Sequence, residues 1–358
     1  MERFEIGSVY SSSRYMEELA KFAGSDIWDS FSSKSFAISG GTGMIGSYLI
    51  DLIMYRNDNM NQNSHVYVFG RNEEKAEKRF EKYYESPFFH FIYQDINKEI
   101  DAPIEKVDYI IHAASNTHPV AYSSDPIGTV AANVIGTANL LEWACKVSCE
   151  RFAFLSSVEI YGENRGDVEK FKEDYLGYID CNTLRAGYPE SKRTGEALCQ
   201  AYISQKGLDV VIPRLSRTYG PTMLMSDTKA LSQFIKKCVD TSDIVLKSEG
   251  LQEFSYGYVA DAVIGILTVI AKGTCGEAYN ISSDGSDISL RELAGILAEY
   301  NGKKVVFELP DSVEMKGYST ATKAMLDTDK VKSIGWKSSY EIKEGLIETV
   351  LILREIKK

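Results

Sequence analysis

A glycine-rich turn between a short apolar run and a helical segment is the feature that most constrains how this chain can fold. The turn reads Ser39-Gly40-Gly41-Thr42-Gly43-Met44-Ile45-Gly46. In a strand–turn–helix unit, its first glycine permits the tight turn, the second lets a pyrophosphate approach the backbone, and the third lets helix and strand pack closely. The first turn of the helix then presents free N–H groups to the phosphates. A turn that binds nothing is the alternative. The residues predicted to hold a dinucleotide here are Gly40, Thr42, Gly43, Met44, Ile45 and Gly46.

The order of apolar runs along the chain predicts the fold class. Runs typical of buried strands are Ser35–Ser39, Val66–Phe69, Val107–His112, Phe152–Ser156 and Val210–Leu215. Helical periodicity fills several of the intervals between them. Such alternation is typical of parallel strands joined by crossover helices, so we expect an α/β protein with a Rossmann-type, doubly wound parallel sheet.

The same pattern suggests three parts. Residues 1–34 are expected to be an accessory segment, with one helix near Tyr15–Phe22 and with Trp28 and Phe31 as apolar anchors. Residues 35–220 form the predicted dinucleotide-binding domain. The alternation becomes less regular after Gly220, so residues 221–358 are expected to be mainly a smaller α/β substrate-binding lobe, in which residues 257–271 can be assigned to either part.

Composition and charge argue against several classes of function. The formal net charge of -11 disfavours a non-specific nucleic-acid binder, which needs a basic surface. No uncharged apolar run approaches the roughly 20 residues that span a bilayer, and the first residues lack the apolar core of a signal peptide. The six cysteines form no CxxC pair and the four histidines, His118 among them, show no metal-site spacing. We therefore expect no metal, no membrane contact and a cytoplasmic location.

The end of the second apolar run bears on which nicotinamide cofactor is bound. In this fold an acidic residue normally follows that strand and binds the ribose 2′-hydroxyl of NAD. Here Gly70 takes that position and Arg71 follows it. A guanidinium suits a 2′-phosphate, so the sequence admits NAD or NADP and favours NADP, unless Arg71 is merely a solvated surface residue. Asp95 and Ile96, after the next apolar run, are predicted to touch the adenine.

A tyrosine and a lysine four residues apart supply the predicted catalytic groups. Tyr188 and Lys192 would share one face of a helix, where the lysine charge favours the phenolate and lets it act as a general base. Ser157, at the end of an apolar run, can hydrogen-bond the same substrate oxygen. The spacing alone occurs by chance in many helices, and the glycine turn upstream makes it informative.

These motifs together resemble those of the extended short-chain dehydrogenases that act on nucleotide sugars, the NAD-dependent epimerase/dehydratase family. The resemblance runs from about Lys34 to the C-terminus and implies that the cofactor is bound tightly and regenerated in each turnover. It also implies a homodimer, in which helices near Pro126–Val147 and Tyr188–Gln205 pair across a two-fold axis. By this resemblance, the cofactor site includes Ala113, Ala114 and Asn133, and the substrate site includes Ser115 and Arg185.

Within that family the chain is most similar to the UDP-glucuronate decarboxylases. The supporting segments include Pro119, Tyr122 and Pro126 before the long helix, Asp174-Tyr175 before the catalytic tyrosine, and Gly220-Pro221 with Met223 and Met225. The similarity implies oxidation at C4 of a UDP-uronate, loss of carbon dioxide from the keto acid, and reduction of the product. A 4,6-dehydratase, a 4-epimerase, an NADPH-dependent reductase and a catalytically silent dinucleotide-sensing protein remain alternatives.

Four side chains qualify this resemblance. Glu159 remains where related dehydratases carry a glutamate base, while Val158 replaces the neighbouring acid, and we expect Glu159 to act near C5 of the sugar. Phe254 replaces an arginine that binds the substrate diphosphate in relatives, and Arg217 replaces an asparagine and is expected to supply that contact. Lys323 replaces an arginine associated with the uronate carboxylate and is expected to bind that group.

Overall fold

A twisted parallel sheet forms the centre of the molecule. The computed structural model describes residues 7–116, 124–308 and 321–358. Within these residues eight strands make up this sheet, in the order β3-β2-β1-β4-β5-β7-β11, with β6 paired to β7 and every pairing parallel. The strands are β1 (Phe36–Ser39), β2 (Val66–Gly70), β3 (Phe89–Tyr93), β4 (Tyr109–His112), β5 (Arg151–Phe154), β6 (Ser156–Ser157), β7 (Val210–Leu215) and β11 (Ala278–Ile281).

Helices cover both faces of this sheet, as expected of a doubly wound fold. On one face α4 packs against α5, and on the other α2 packs against α7. The helices are α1 (Ser13–Ala23), α2 (Met44–Met60), α3 (Glu73–Arg79), α4 (Pro126–Lys146), α5 (Gly187–Lys206), α6 (Ala230–Val239), α7 (Val259–Lys272), α8 (Leu290–Asn301), α9 (Asp329–Ser333) and α10 (Ile342–Glu355). Short 3-10 helices lie at Val9–Ser11, Asp26–Phe31, Val158–Tyr161 and Leu184–Ala186. The predicted fold class is confirmed.

Smaller strand pairings form the second lobe. Strand β10 (Glu253–Tyr258) pairs with β8 (Arg217–Tyr219), β12 (Asp287–Ser289) and β14 (Lys323–Ala324). Strands β9 (Ile244–Leu246) and β13 (Val305–Phe307) pair in parallel beside α6 and α8. Thr222, just after β8, donates a hydrogen bond to the carbonyl of Met44 at the start of α2. The second lobe therefore contacts the glycine turn directly.

Local sequence signals explain where several helices begin. Asp125 caps α4 by accepting a hydrogen bond from the Gly128 N–H. A capping box of Ser289 and Glu292 opens α8. Helix α6 starts at Ala230, after a turn in which the Asp227 carboxylate accepts a hydrogen bond from the backbone N–H of Lys229.

The N-terminal segment packs as an integral layer on the outer face of α2. Trp28 and Phe31, the predicted anchors, are buried, and so is Tyr15 of α1. The buried carboxylate of Glu18 on α1 accepts hydrogen bonds from Tyr48 of α2 at 2.8 Å and from Tyr258 of β10 at 2.6 Å. The segment therefore joins the first domain to the second lobe.

The same segment is tied to the last helix. The Gly7 N–H donates to the carbonyl of Ile356, and the Ser12 hydroxyl donates to the carboxylate of Glu355 at 2.6 Å. Arg14 forms ion pairs with Glu348 and Glu355. These contacts connect the two ends of the described chain.

Candidate active site

The glycine turn has the shape that a dinucleotide requires. Gly40 adopts φ +74, and a Cβ at this position would lie 2.6 Å from the backbone nitrogen of Ala114. A Cβ at Gly46 would lie 2.7 Å from the Gly40 carbonyl oxygen. Gly43 is the N-cap of α2 and no side chain caps the helix, so the first-turn N–H groups are available to phosphate oxygens. Thr42, Met44 and Ile45 lie on this turn, and the residues present fit the cofactor.

The predicted adenosine contacts lie at neighbouring strand ends. Strand β2 ends at Gly70, and Arg71 follows it with an exposed side chain. Asp95 and Ile96 follow β3, which pairs with β2. The Asp95 carboxylate accepts a hydrogen bond from the Asn97 N–H, and Ile96 is buried against Gly136 of α4. Ala113 and Ala114 follow β4 and donate hydrogen bonds to Ser39.

His112 serves a structural role beside this turn. Its Nδ1 lies 2.7 Å from the Ser39 hydroxyl and its Nε2 lies 3.1 Å from the Thr137 hydroxyl. Burial holds the pKa of His112 well below its usual value, so the ring is neutral. The ring thus links β1, β4 and α4 beneath the glycine turn.

Ser157, Tyr188 and Lys192 converge at the carboxyl end of the sheet. Ser157 ends β6, and Tyr188 and Lys192 lie one turn apart in the first half of α5. The Lys192 ammonium donates to the Leu155 carbonyl at 2.7 Å and lies 4.8 Å from the centre of the Phe154 ring. These contacts fix the ammonium beside the strand that carries Ser157.

Burial controls the titration of both residues of α5. It raises the pKa of Tyr188 to about 12, while the hydrogen bond with Ser157 lowers this pKa and the charge of Glu159 raises it. Burial lowers the pKa of Lys192 to about 8, opposed by the charge of Glu196. A phenol in this environment needs a cation close by if it is to lose its proton near neutral pH, and the charge predicted for that role is that of Lys192, one helical turn away.

Asn133, predicted to lie in the cofactor site, connects the two long helices. Its side-chain amide donates to the Ser191 hydroxyl at 2.9 Å, and that hydroxyl donates to the Tyr188 carbonyl. The side-chain Oδ1 of Asn133 is buried and has no hydrogen-bond partner among the described residues. It is therefore available as an acceptor at the first turn of the catalytic helix.

A largely buried ion pair lies one helical turn beyond Lys192, and we did not predict it. Glu196 follows Lys192 by one helical turn, pairs with Arg214 at 2.7 Å and accepts a hydrogen bond from Ser156. Arg214 also donates to the Tyr161 hydroxyl at 2.9 Å. No local spacing signals this pair, because Glu196 and Arg214 lie 18 positions apart on different elements. The network fixes α5 to β6 and β7.

Glu159 is shared by two arginines on the substrate side. Its carboxylate lies 3.4 Å from Arg185 and 3.5 Å from Arg217. The Arg217 guanidinium lies over the Phe254 ring, 3.6 Å from its centre. The structure therefore brings together four of the residues that the resemblance had singled out separately.

The remaining predicted substrate residues lie further along the loops. Ser115 follows β4 and its hydroxyl donates to the Asn116 carbonyl at 3.4 Å. Lys323 lies on β14, opposite Glu253 of β10. Three residues named from the sequence, His118, Pro119 and Tyr122, lie outside the described residues.

The part of the chain that the structure describes forms neither a metal-ligand cluster nor a helix that could span a membrane. No cluster of three or more His, Cys, Asp or Glu side chains in residues 7–116, 124–308 and 321–358 is arranged to hold a metal ion. Over the same ranges, no helix combines the length and the apolar character needed to cross a membrane.

Comparison with known protein families shows to which family the chain belongs. Residues 36–282 match the NAD dependent epimerase/dehydratase family over more than two thirds of the chain. The chain belongs to that family. The predicted resemblance is confirmed, and the N-terminal segment lies before the region that this epimerase/dehydratase match covers.

Relatives of this epimerase/dehydratase protein include UDP-glucuronic acid decarboxylase 3 of Arabidopsis thaliana, which is 30% identical over 314 residues, or 86% of each chain. UDP-glucuronic acid decarboxylase 1 of Xenopus tropicalis is 28% identical over 90% of this chain and 72% of its own.

Solved structures of the same family have the same fold. The dTDP-glucose 4,6-dehydratase of Streptomyces venezuelae, with NAD bound, is 26% identical, with a TM-score of 0.74 over 90% of this chain and 97% of its own. UDP-glucuronic acid 4-epimerase of Bacillus cereus, in complex with UDP-glucuronic acid and NAD, has a TM-score of 0.75 at 21% identity over 90% of this chain and 99% of its own.

Proposed function

We propose that this epimerase/dehydratase family member decarboxylates a UDP-linked uronate, with UDP-glucuronate as its substrate. The observation that carries the proposal is the 30% identity to a UDP-glucuronic acid decarboxylase over 86% of both chains. The hydrogen bond between Ser157 and Tyr188, with Lys192 one turn away, supports the same chemistry.

The proposed mechanism begins at the C4 hydroxyl of the sugar. When bound, the nicotinamide supplies a reversible acceptor for the hydrogen at C4. Tyr188 takes the hydroxyl proton, Lys192 supplies the neighbouring positive charge, and Ser157 donates a hydrogen bond to the same oxygen.

The carbon–carbon cleavage then depends on the keto group. A uronate with a ketone at C4 is a β-keto acid, so the bond between C5 and C6 breaks, carbon dioxide leaves, and the electron pair remains in an enolate. Ser157 and Tyr188 stabilise the enolate oxygen. Glu159, whose N–H donates to the Ser157 hydroxyl at 3.2 Å, lies beside C5 and orients the ring while a proton is delivered there.

Product analysis tests this proposal. UDP-glucuronate labelled at C6 is expected to release labelled carbon dioxide and to leave a UDP-pentose, with no net consumption of cofactor. Tyr188→Phe is the matched negative control. Turnover of a neutral nucleotide hexose, with no carbon dioxide from UDP-glucuronate, would reject the decarboxylase.

A 4,6-dehydratase is the second candidate, because the 26% identical solved relative has that activity. Val158 stands where such enzymes are expected to carry an acid for the leaving C6 hydroxyl, which favours decarboxylation. A 4-epimerase would share the first step. Chromatography of the product of UDP-glucose or dTDP-glucose distinguishes a 4-keto-6-deoxy sugar from a C4 epimer.

The cofactor choice is a separate proposal. We propose that Arg71 favours NADP over NAD, because its exposed guanidinium follows Gly70 where an acidic residue would bind the 2′-hydroxyl. The cofactor released on denaturation, identified by mass spectrometry, tests this choice.

Packing supports a division of the chain into three parts. We propose residues 1–34 as an accessory segment, 35–220 as the dinucleotide-binding domain and 221–358 as mainly the substrate-binding lobe. Residues 257–271 belong with the first domain, because α7 packs against α2 and the following β11 pairs with β7. Limited proteolysis, with the fragments identified by mass spectrometry, tests whether cleavage falls between these parts.

We also propose a homodimer formed through α4 and α5. Ile127, Val130 and Ile135 are exposed along α4, at spacings that place them near one face, and Leu184 is exposed just before α5.

A cytoplasmic location is proposed because the six cysteines are free, which suits a reducing compartment.

A further inference from the structure

Arg217 has an incompletely satisfied guanidinium at the edge of the active site. Its Nη2 lies 3.5 Å from the Glu159 carboxylate, at the long end of the range for an ion pair. Its Nε is buried and has no acceptor among the described residues. The face of the guanidinium lies on Phe254, which is itself buried. Stacking on Phe254 thus restricts the plane of the guanidinium, while its Nε–H donor lacks an acceptor among the described residues.

The carboxylate that Arg217 contacts is already engaged. Glu159 also pairs with Arg185, so two guanidiniums share one carboxylate. The three side chains retain between 25% and 28% exposure, which leaves them accessible from a cleft. A planar carboxylate from a ligand would complete the donor set of Arg217 through two parallel hydrogen bonds.

The location of Glu159 indicates which part of a sugar would lie there. Glu159 is two residues from Ser157 and is bonded to its hydroxyl, and its charge reaches Tyr188. A sugar whose C4 oxygen lies between Ser157 and Tyr188 has C3 and C5 as the neighbours of C4. C3 carries a neutral hydroxyl, C5 carries the C6 carboxylate of a uronate, and the diphosphate is attached at C1, on the opposite side of the ring. The C6 end is therefore the neighbouring part of the sugar that would complete the donor set of Arg217.

We propose that Arg217 is the residue that recognises the substrate's C6 carboxylate, on a platform formed by Phe254 and with Glu159 orienting the guanidinium before the substrate binds. The inference rests on the proposed function, since only a uronate carries this group. Arg217 then takes the carboxylate-binding role that was expected of Lys323. The pairing of β10 with β14 places Lys323 beside Glu253 and Ala324 beside Phe254, and because side chains alternate along a strand, Lys323 lies on the face opposite Phe254.

Calorimetric titration with UDP-glucuronate and UDP-xylose tests this assignment, because UDP-xylose lacks only the carboxylate. The parent protein and every variant carry the cofactor and the Tyr188→Phe substitution, so that the ligand binds without being turned over. Arg217→Ala is expected to weaken UDP-glucuronate by about ten- to a hundredfold and to leave UDP-xylose nearly unchanged. Arg217→Lys keeps the charge but loses the fork and the stacking, so an intermediate loss is expected. Arg193→Ala, an arginine on α5 paired with Glu190, is the control and should bind both ligands as the parent does.

Three outcomes would overturn the proposal. Equal weakening of both ligands in Arg217→Ala would assign this residue to the diphosphate, and a selective loss in Lys323→Ala alone would return the carboxylate to Lys323. Glu159→Gln removes a competing negative charge, so the preference for UDP-glucuronate should rise severalfold, and a fall in that preference also contradicts the placement. Because these are binding measurements, carboxylate selectivity without release of carbon dioxide would reject the proposed function and leave the role of Arg217 intact.

Discussion

Replacing Lys192 by methionine should change how the stability of the protein depends on pH. Burial lowers the pKa of Lys192 from 10.5 to about 8. Between these two values the unfolded chain holds a proton that the folded chain has released, so the free energy of unfolding rises with pH in this window. At about 1.4 kcal/mol per pKa unit the full effect is about 3 kcal/mol, of which about 2 kcal/mol is expected between pH 7 and pH 9.5.

Urea unfolding of the cofactor-free proteins across this pH range measures the effect. Lys192→Met loses the hydrogen bond to the Leu155 carbonyl, which shifts its stability by an amount that does not depend on pH. The difference between the parent and the variant should therefore change by about 2 kcal/mol, in favour of the parent at high pH. Lys206→Met, on the exposed end of the same helix, is the control and should run parallel to the parent. Parallel curves for Lys192→Met would refute the reasoning.

Three further predictions concern catalysis, cofactor choice and assembly. Tyr188→Phe should lower turnover by about a hundred- to ten-thousandfold without affecting cofactor binding, whereas Tyr202→Phe on the same helix should retain activity. If Tyr188→Phe turns over as fast as the parent in steady-state assays, Tyr188 is not the base. Arg71→Ala should weaken NADP about ten- to a hundredfold more than NAD in fluorescence titrations, and equal weakening would remove the preference for NADP. Ile135→Glu should convert a dimer to a monomer in light scattering, while Leu251→Glu, also at an exposed position, should remain dimeric. A parent protein that is already monomeric at micromolar concentration would refute the proposed interface.

Local patterns predicted much of the fold. The strand beginning at Val66 and the one from Val210 to Leu215 were foreseen because each is a mostly apolar run that is buried over most of its length. The glycine turn identified the first strand and α2. The predicted strand Phe152–Ser156 is divided at Leu155, whose carbonyl binds Lys192.

Contacts between distant segments were the part that the sequence could not reveal. Phe254 and Arg217 were each noticed as departures from the family pattern, but their contact depends on the pairing of β8 with β10, which no local pattern specifies. The position of β11 as the last strand of the main sheet likewise depends on its pairing with β7, which no local pattern specifies. The pairing of Glu196 with Arg214 was hidden because it also depends on how a helix lies across a strand.

The attachment of the N-terminal segment to α10 has a consequence for how the chain folds during synthesis. Ser12 and Glu355 are separated by 343 positions, so the surface on which Ser12 docks is made long after α1 has left the ribosome. Until then α1 can bury its apolar face only against α2, and the connection through Glu18 to Tyr258 must also wait for the second lobe. Closing so long a loop is slow compared with forming local structure. The docking of α1 on α10 should therefore be among the last events in folding, and a ribosome-bound chain that stops before α10 should leave the segment open to protease.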